Sequence, residues 1–398
     1  MSAPLRVGVL GLGAVAQAVH MPLLSRRPDL YSIAAVADLS AEVADTVGAR
    51  FGVDAAHRFS SLAAMLDAGG LDAVMLLHRG SHAKAVLEVY ARKLPVFVEK
   101  PLAFTTAEVD ELMTAEPGLG HPATLLGYMK QYDPAVIEAA RLLEEIDDIR
   151  SIEATVLHPT GNSQLAFAHV IGPRLPLPGS VLAEIESEDA RLWNDAVGDA
   201  PVDVWRAYRG SLVSSLAHDL SILRSFNSEP TTVDFADIWR QSSKHGTREV
   251  GRDRNSFGDH PPSITATGKL AAGGRYCLAW HYLPDFPAYR ETVRVVHGRG
   301  AIELVFPSPY LMHAPTELTV SSLDRDLENR TIRRSITEAF DTQLEAFHAM
   351  IREAVAPASG LAEGRTDILN CQRILASWAR RTNEPVGGEI GRLVAQQI

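Results

Sequence analysis

Cysteine is nearly missing from this sequence: Cys277 and Cys371 are the two in 398 residues. That excludes a disulfide-stapled scaffold, offers no zinc-cluster spacing, and fits free thiols in a reducing, cytoplasmic setting. No metal site is expected. Long apolar runs are missing too, and the N-terminus goes straight into a strand-like run without a charged-then-apolar leader, so a soluble chain with no membrane partner is expected. Basic residues are in deficit, 38 Lys and Arg against 49 Asp and Glu for a formal charge of −11. With no Lys or Arg block among them, a nucleic-acid partner is not expected. Internal repeats and low-complexity segments are absent as well.

What is present begins at the N-terminus. Val7-Gly8-Val9-Leu10 is an apolar run of the kind found in buried parallel strands, and it leads into Gly11-Leu12-Gly13-Ala14-Val15-Ala16 at the start of a helix. In such a turn Gly11 permits the tight bend, Gly13 lets the backbone approach a pyrophosphate, and the small Ala16 allows the helix to pack close to the strand. The helix N-terminus presents its N–H groups to the anion, so Gly11, Leu12, Gly13, Ala14 and Val15 are candidate cofactor-binding residues. A second apolar run, Ser32 to Ala37, ends in Asp38, at about the twenty-residue separation where an acid accepts hydrogen bonds from an adenosine ribose. No Arg or Lys follows in Asp38-Leu39-Ser40-Ala41-Glu42, and an acid there repels a 2′-phosphate; NAD is favoured over NADP. Asp38 also suits an N-cap for the helix starting near Ser40.

Strand and helix then alternate. A helix runs from Ser40 to about Phe51, a short segment lies at His57 to Phe59, and a helix from Ser60 to Ala68 precedes a strand from Asp72 to Leu77. A helix to about Lys93, a strand Val96 to Val98, a helix Thr105 to Ala115 and a strand Thr124 to Tyr128 follow. The pattern predicts a parallel, doubly wound sheet covered on both faces. Ligands collect beyond the carboxyl ends of such strands, which marks Leu77, His78 and His82 after one strand and Glu99 and Lys100 after the next. Lys100 is the most informative charged residue. Its position aims it at the crevice of the glycine turn, and partial desolvation lowers a lysine pKa until the group exchanges its proton near neutrality. Pro101 restricts Lys100 to extended geometry. A simple ion pair between Lys100 and Glu99 is the plainer account of the same residues.

The glycine turn, Asp38, His82, Glu99-Lys100-Pro101 and Gly127-Tyr-Met-Lys-Gln-Tyr-Asp-Pro134 together resemble the Gfo/Idh/MocA family of glucose-fructose oxidoreductases, inositol dehydrogenases and rhizopine catabolism proteins. The likeness resumes at Gly210 to Leu223 and at Phe340 to Phe347. Glu-Lys-Pro after a parallel strand is its specific part. The resemblance implies an N-terminal Rossmann domain for a nicotinamide cofactor, taken as residues 1–127. It implies a C-terminal α/β domain, 128–398, whose open-faced sheet carries the substrate and often the oligomer contact, as a homodimer or homotetramer. Counterparts of Tyr128 and Lys130 in the family suggest contact with substrate or nicotinamide. The family's second domain presents a histidine to the nicotinamide ring, usually with an aspartate four positions earlier and another three later. Here His218 keeps the histidine, Ser214 and Ser221 replace the aspartates, and Asp219 is the nearby carboxylate and a possible orienter.

Within the second domain, Asp133 to Glu145 reads as an amphipathic helix and Ile149 to Leu157 alternates like a strand. An irregular insertion, about 158–206, is dense in Pro and Gly and then acidic, with Glu184, Glu186, Glu188 and Asp189 in a helical run from Val181 to Val197. It covers a site or an interface, or is a solvated loop. His158, Asn162 and His169 in it are candidate polyol contacts, and Trp193 and Trp205 either stack on a sugar or fill a core. In Arg209 to Leu223 the leucines 212, 216, 220 and 223 form a helical stripe that His218 and Asp219 fall off. Strand-like runs at Thr231 to Gln241, Ser263 to Ala271, Gly274 to Tyr282, Arg290 to His297 and Gly300 to Phe306, with weaker ones at Thr316 to Ser322 and Thr331 to Ser335, predict a largely antiparallel sheet. Helices Thr337 to Val355 and Thr366 to Thr382 close the chain.

The resulting expectation is an NAD-dependent oxidoreductase moving a hydride to or from a hydroxyl-bearing carbon of a sugar, inositol or related polyol. Lys100 would polarise the alcohol or pass its proton, and His218 would act as base. Two alternatives stay open: a glycoside hydrolase in which NAD is reduced and reoxidised within a turnover, and a nucleotide-binding protein without catalysis.

Overall fold

Strands that are apolar on both faces and strands that alternate build different sheets, and this chain contains one of each. The computed structural model describes residues 3–160, 164–165, 179–239 and 261–396. The chain divides into two compact units: Met1–Asp133, Leu165–Trp193 and Thr337–Ile368 form the first, and Pro134–Gln164, Asn194–Ile336 and Leu369–Ile398 the second.

In the first unit β1 (Leu5–Leu10), β2 (Tyr31–Ala37), β3 (Arg58–Phe59), β4 (Ala73–Leu76), β5 (Val96–Val98) and β6 (Thr124–Leu126) form an all-parallel sheet in the order β3-β2-β1-β4-β5-β6. Val7, Val9, Val74, Met75, Phe97 and Val98 are wholly buried, as a sheet covered on both faces requires. The strand order reverses between β1 and β4, which opens a crevice at their carboxyl ends. The first unit also recruits a helix from far along the chain, Ala339–Glu353. Its stripe of Phe340, Leu344 and Phe347 is buried; Phe347 stacks on Tyr31 and meets Phe97 edge-on. Tyr31 Oη donates to the Leu344 carbonyl at 2.5 Å, and Arg27 Nη1 donates to Asp341 at 3.0 Å and Glu345 at 2.9 Å. Burying each large side chain of that stripe stabilises the unit by about 1.5–3 kcal/mol.

In the second unit β7 (Ile149–His158), β8 (Phe235–Trp239), β9 (Ser263–Lys269), β10 (Arg275–Tyr282), β11 (Arg290–His297), β12 (Gly300–Phe306), β13 (Glu317–Asp324) and β14 (Leu327–Arg334) form a sheet ordered β14-β13-β12-β11-β7-β10-β9-β8. Every pairing is antiparallel except β7 with β10. Burial alternates. Ile152, Ala154, Leu278, Trp280, Val293, Val295, Ile302 and Leu304 are buried, whereas Cys277, Ala279, Thr292, Ala301 and Glu303 between them are half-exposed. One face therefore carries the core and the other is open.

Three elements differ from expectation. The stretch read as one helix from Arg209 is a π-helix, Ala207–Leu216, followed by an α-helix, Ala217–Ser225. β14 begins at Leu327 and is exposed throughout, an edge strand with no buried face to write a pattern. A terminal helix, Gly388–Ala395, lies beyond the last one anticipated. Among the described residues no helix is long and apolar enough to cross a membrane.

Candidate functional site

The glycine turn lies in the crevice of the parallel sheet. Gly11 has φ +88°, and a methyl group there would come within 2.5 Å of His78 N and 2.6 Å of His78 Cα, so left-handed backbone and the approach of the β4 end both require glycine. Gly13 is different: nothing lies within 4 Å of where its Cβ would be. Asp38, at the end of β2, accepts from Leu12 N–H at 2.9 Å through Oδ2 and from Ser40 N–H at 3.0 Å through Oδ1. It braces the turn and keeps lone pairs for a further donor. Capping of the helix Ala41–Arg50 falls to Ser40, whose Oγ accepts from Val43 N–H at 3.3 Å, and not to Asp38.

Leu77 and His78 follow β4, and His82 precedes the helix Ala83–Ala91. The His78 and His82 rings lie 4.3 Å apart, centroid to centroid. Burial lowers both, His78 to about 4 and His82 well below its ordinary value. His82 is fully buried, and its Nδ1 donates to the Pro101 carbonyl at 2.7 Å, in the turn after β5.

That turn carries Glu99, Lys100 and a cis Lys100-Pro101 bond. Glu99 Oε1 accepts from His20 Nε2 at 2.8 Å, and Oε2 accepts from the Lys100 N–H at 3.1 Å. Burial pushes the Glu99 carboxyl up, but the His20 hydrogen bond and the charges of His20 and Lys100 outweigh it, and the net direction is down. For the Lys100 ammonium burial acts downward, Glu99 opposes it and Lys130 adds to it; the result is a lysine below its ordinary range. Tyr128 and Lys130, at the turn after β6, are both buried.

All these residues belong to the first unit; His158, His218 and Asp219 belong to the second. His158 ends β7 with its ring against Trp280 at 5.3 Å, Tyr282 at 6.5 Å and Tyr289 at 5.7 Å. His218 and Asp219 are buried, as is every residue from Leu216 to Leu223. Neighbours on an α-helix diverge by about 100°. Asp219 acts on the Tyr289 phenol, which burial and then Glu291, to which it donates, push well up. Ser221 Oγ donates to the His218 carbonyl at 2.7 Å, so this serine is used on the backbone. Trp205 is a core residue packed on Tyr208; Trp193 is half-buried. Asn162 and His169 lie outside the described residues. Among the described residues no three His, Cys, Asp or Glu side chains are grouped to hold a metal ion.

Sequence reasoning missed His20, Glu291 and Tyr289. His20 sits on a π-turn, Ala16–His20, where one extra residue shifts the facing that a 3.6-residue period assigns. Glu291 shows a signal in retrospect, as the one acid at an inward position of the alternating run Arg290 to His297.

Residues 5–124 match a family model described as "Oxidoreductase family, NAD-binding Rossmann fold". An inositol 2-dehydrogenase of Streptomyces avermitilis is 36% identical over 145 residues, which are 36% of this chain and 41% of that protein. The matched stretch thus spans about two fifths of the curated relative. An aldose-aldose oxidoreductase from Caulobacter crescentus, complexed with glycerol, is similar in structure with a TM-score of 0.68 at 18% identity, covering 95% of this chain and 98% of its own. A 3-ketoreductase from Actinomadura kijaniata, in complex with NADP, gives 0.66 at 17% identity and covers 94% and 98%. At such identities the likeness is one of fold. Residues 5–124, the stretch that holds the glycine turn, Asp38 and Lys100, thus match the Gfo/Idh/MocA oxidoreductase family model.

Proposed function

We propose that this chain is an NAD-dependent oxidoreductase that transfers a hydride between nicotinamide and a hydroxyl-bearing carbon of a sugar, an inositol or a related polyol. The observation that carries the reading is Lys100, a lysine with a lowered pKa at the carboxyl end of β5, on the same sheet edge as the glycine turn after β1 and Asp38 after β2. The residues fit a dinucleotide. Space over Gly13 is open where a pyrophosphate would approach, and the Asp38 carboxylate retains acceptor capacity for a ribose. When bound, the cofactor supplies the hydride-exchanging carbon of its nicotinamide ring.

The protein's part is to place the alcohol and move its proton. Lys100 polarises the hydroxyl or exchanges its proton, a task suited to a lysine below its usual range. His218 is assigned to proton exchange as well, with Asp219 as its carboxylate neighbour, and Tyr128, Lys130 and His158 to substrate contact. Polyols are supported as substrates by the inositol and aldose relatives named above. Asp38 supports NAD over NADP. The open face of the eight-stranded sheet is the proposed contact between copies in a homodimer or homotetramer.

The test is accumulation of NADH when the purified chain is mixed with NAD and myo-inositol, aldoses or their derivatives. Reduced cofactor confirms net oxidation. Cleavage of a glycoside without NADH would instead indicate an internal redox cycle, and NAD binding without turnover of any compound would leave a nucleotide-holding protein, the reading that Ser214 and Ser221 favour.

A further inference from the structure

We infer that His20 is a positioning residue for Lys100: by donating to Oε1 it fixes the Glu99 carboxylate against the Lys100 main chain. Three observations converge on this role. His20 is 1% exposed, its ring is wedged edge-on between Phe97 at 5.3 Å and Phe340 at 5.6 Å, and its Nδ1 meets no hydrogen-bond partner among the described residues. The hydrogen bond to Glu99 is thus its single polar contact among the described residues, and since a carboxylate only accepts, Nε2 carries the proton. The π-turn Ala16–His20 belongs to the same helix that the glycine turn opens, so one short segment supplies both the Gly13 cradle and the group that holds Glu99. The other oxygen of Glu99 is occupied by the Lys100 N–H, which leaves the carboxylate fixed at both ends.

The consequence is electrostatic. A buried carboxyl deprived of its donor takes up a proton. Neutral Glu99 no longer supports the neighbouring ammonium, while burial and the Lys130 charge go on depressing it; the neutral-leaning His78 and His82 offer no replacement. Loss of the His20 hydrogen bond therefore lowers the Lys100 pKa. The catalytic meaning of this rests on the assignment of Lys100 above, but the titration itself requires neither substrate nor NAD.

The chain has six lysines, few enough for 13C reductive methylation of the intact protein and an NMR titration, with Lys100→Arg identifying the resonance. In His20→Phe, which fills the space between the two phenylalanines, the Lys100 resonance should titrate about one pH unit below the parent. His20→Gln, which restores a donor, should return it most of the way, and in a Glu99→Gln background His20→Phe should have no further effect. Should His20→Phe fail to fold, His20→Asn, polar but too short to reach Oε1, carries the same expectation. An unchanged or raised Lys100 titration in the soluble His20 variant, or equal shifts in the presence and absence of the Glu99 carboxylate, overturns the inference. Failure of the functional reading is seen separately, as NADH formation that survives loss of the Lys100 amine.

Discussion

Gly11 and Gly13 stand two residues apart in one turn, yet the structure gives them separable duties, and alanine at each should show it. At Gly11 the cost has two parts. Left-handed backbone at φ +88° is disfavoured for an L-residue by about 1–2 kcal/mol, and the added methyl meets main-chain atoms of His78 at 2.5 and 2.6 Å that cannot rotate away. Moving the end of β4 to relieve that contact disturbs its pairing with β1, so a total of about 3 kcal/mol is expected for Gly11→Ala, or roughly 6–12 °C in the unfolding midpoint of a unit this size. At Gly13 the added methyl enters open space and φ is not positive, so Gly13→Ala should leave stability within about 0.5 kcal/mol of the parent. Its effect should fall on NAD instead. Holding the pyrophosphate away forfeits about one backbone hydrogen bond, near 1.5 kcal/mol, which is about tenfold in affinity. The two variants are compared by urea and thermal unfolding without ligand and by calorimetric titration with NAD. Gly13→Ala binding NAD as tightly as the parent refutes the cradle; Gly11→Ala as stable as the parent refutes the clash.

Lys100→Met should reduce turnover by about 10²–10⁴-fold with NAD affinity nearly retained, measured as NADH formation beside calorimetry; full activity removes the catalytic assignment. Asp38→Ala should weaken NAD binding and narrow its advantage over NADP, and a parent that binds both equally would defeat the ribose argument. Stability should fall as pH drops from about 6.5 to about 4, because the unfolded chain protonates His78 across that window while the folded one, held at about 4, does not. The His78 share of the loss is on the order of 3 kcal/mol at most, read from urea midpoints at several pH values, and His78→Gln should make the profile shallower while buried His82 keeps part of it. An equally steep profile in that variant assigns the effect elsewhere.

The parts of the fold legible in the sequence are those with a local signature. β5, β11 and β12 fall at the residues their apolar runs and alternation mark, because each has a face whose burial the pattern records. β14 escaped because an edge strand exposed along its whole length carries no such record, and both π-helices escaped because a regular period cannot register an inserted residue. At the candidate site, the glycine turn and Lys100 were legible from their places at strand ends. His20 was not: its partner Glu99 is 79 positions away, and only the packed sheet brings them to 2.8 Å. The serines at 214 and 221 stand where the resemblance places carboxylates, and two buried acids of the same unit, Asp219 and Glu291, lie on a helix and on a strand far along the chain.

The helix Ala339–Glu353 has a bearing on how the protein is made. A ribosome that has just released Asp133 has synthesised every strand of the parallel sheet, yet Tyr31, Phe97 and Arg27 still lack the partners that Phe347, Leu344 and Asp341 will provide. Some two hundred residues must be translated before that helix arrives, roughly 10–40 s at about 5–20 residues per second. For that interval the nascent first unit exposes an unfilled aromatic seam, so nascent chains should engage chaperones at this stage, and a gene cut after residue 133 should yield a product that aggregates.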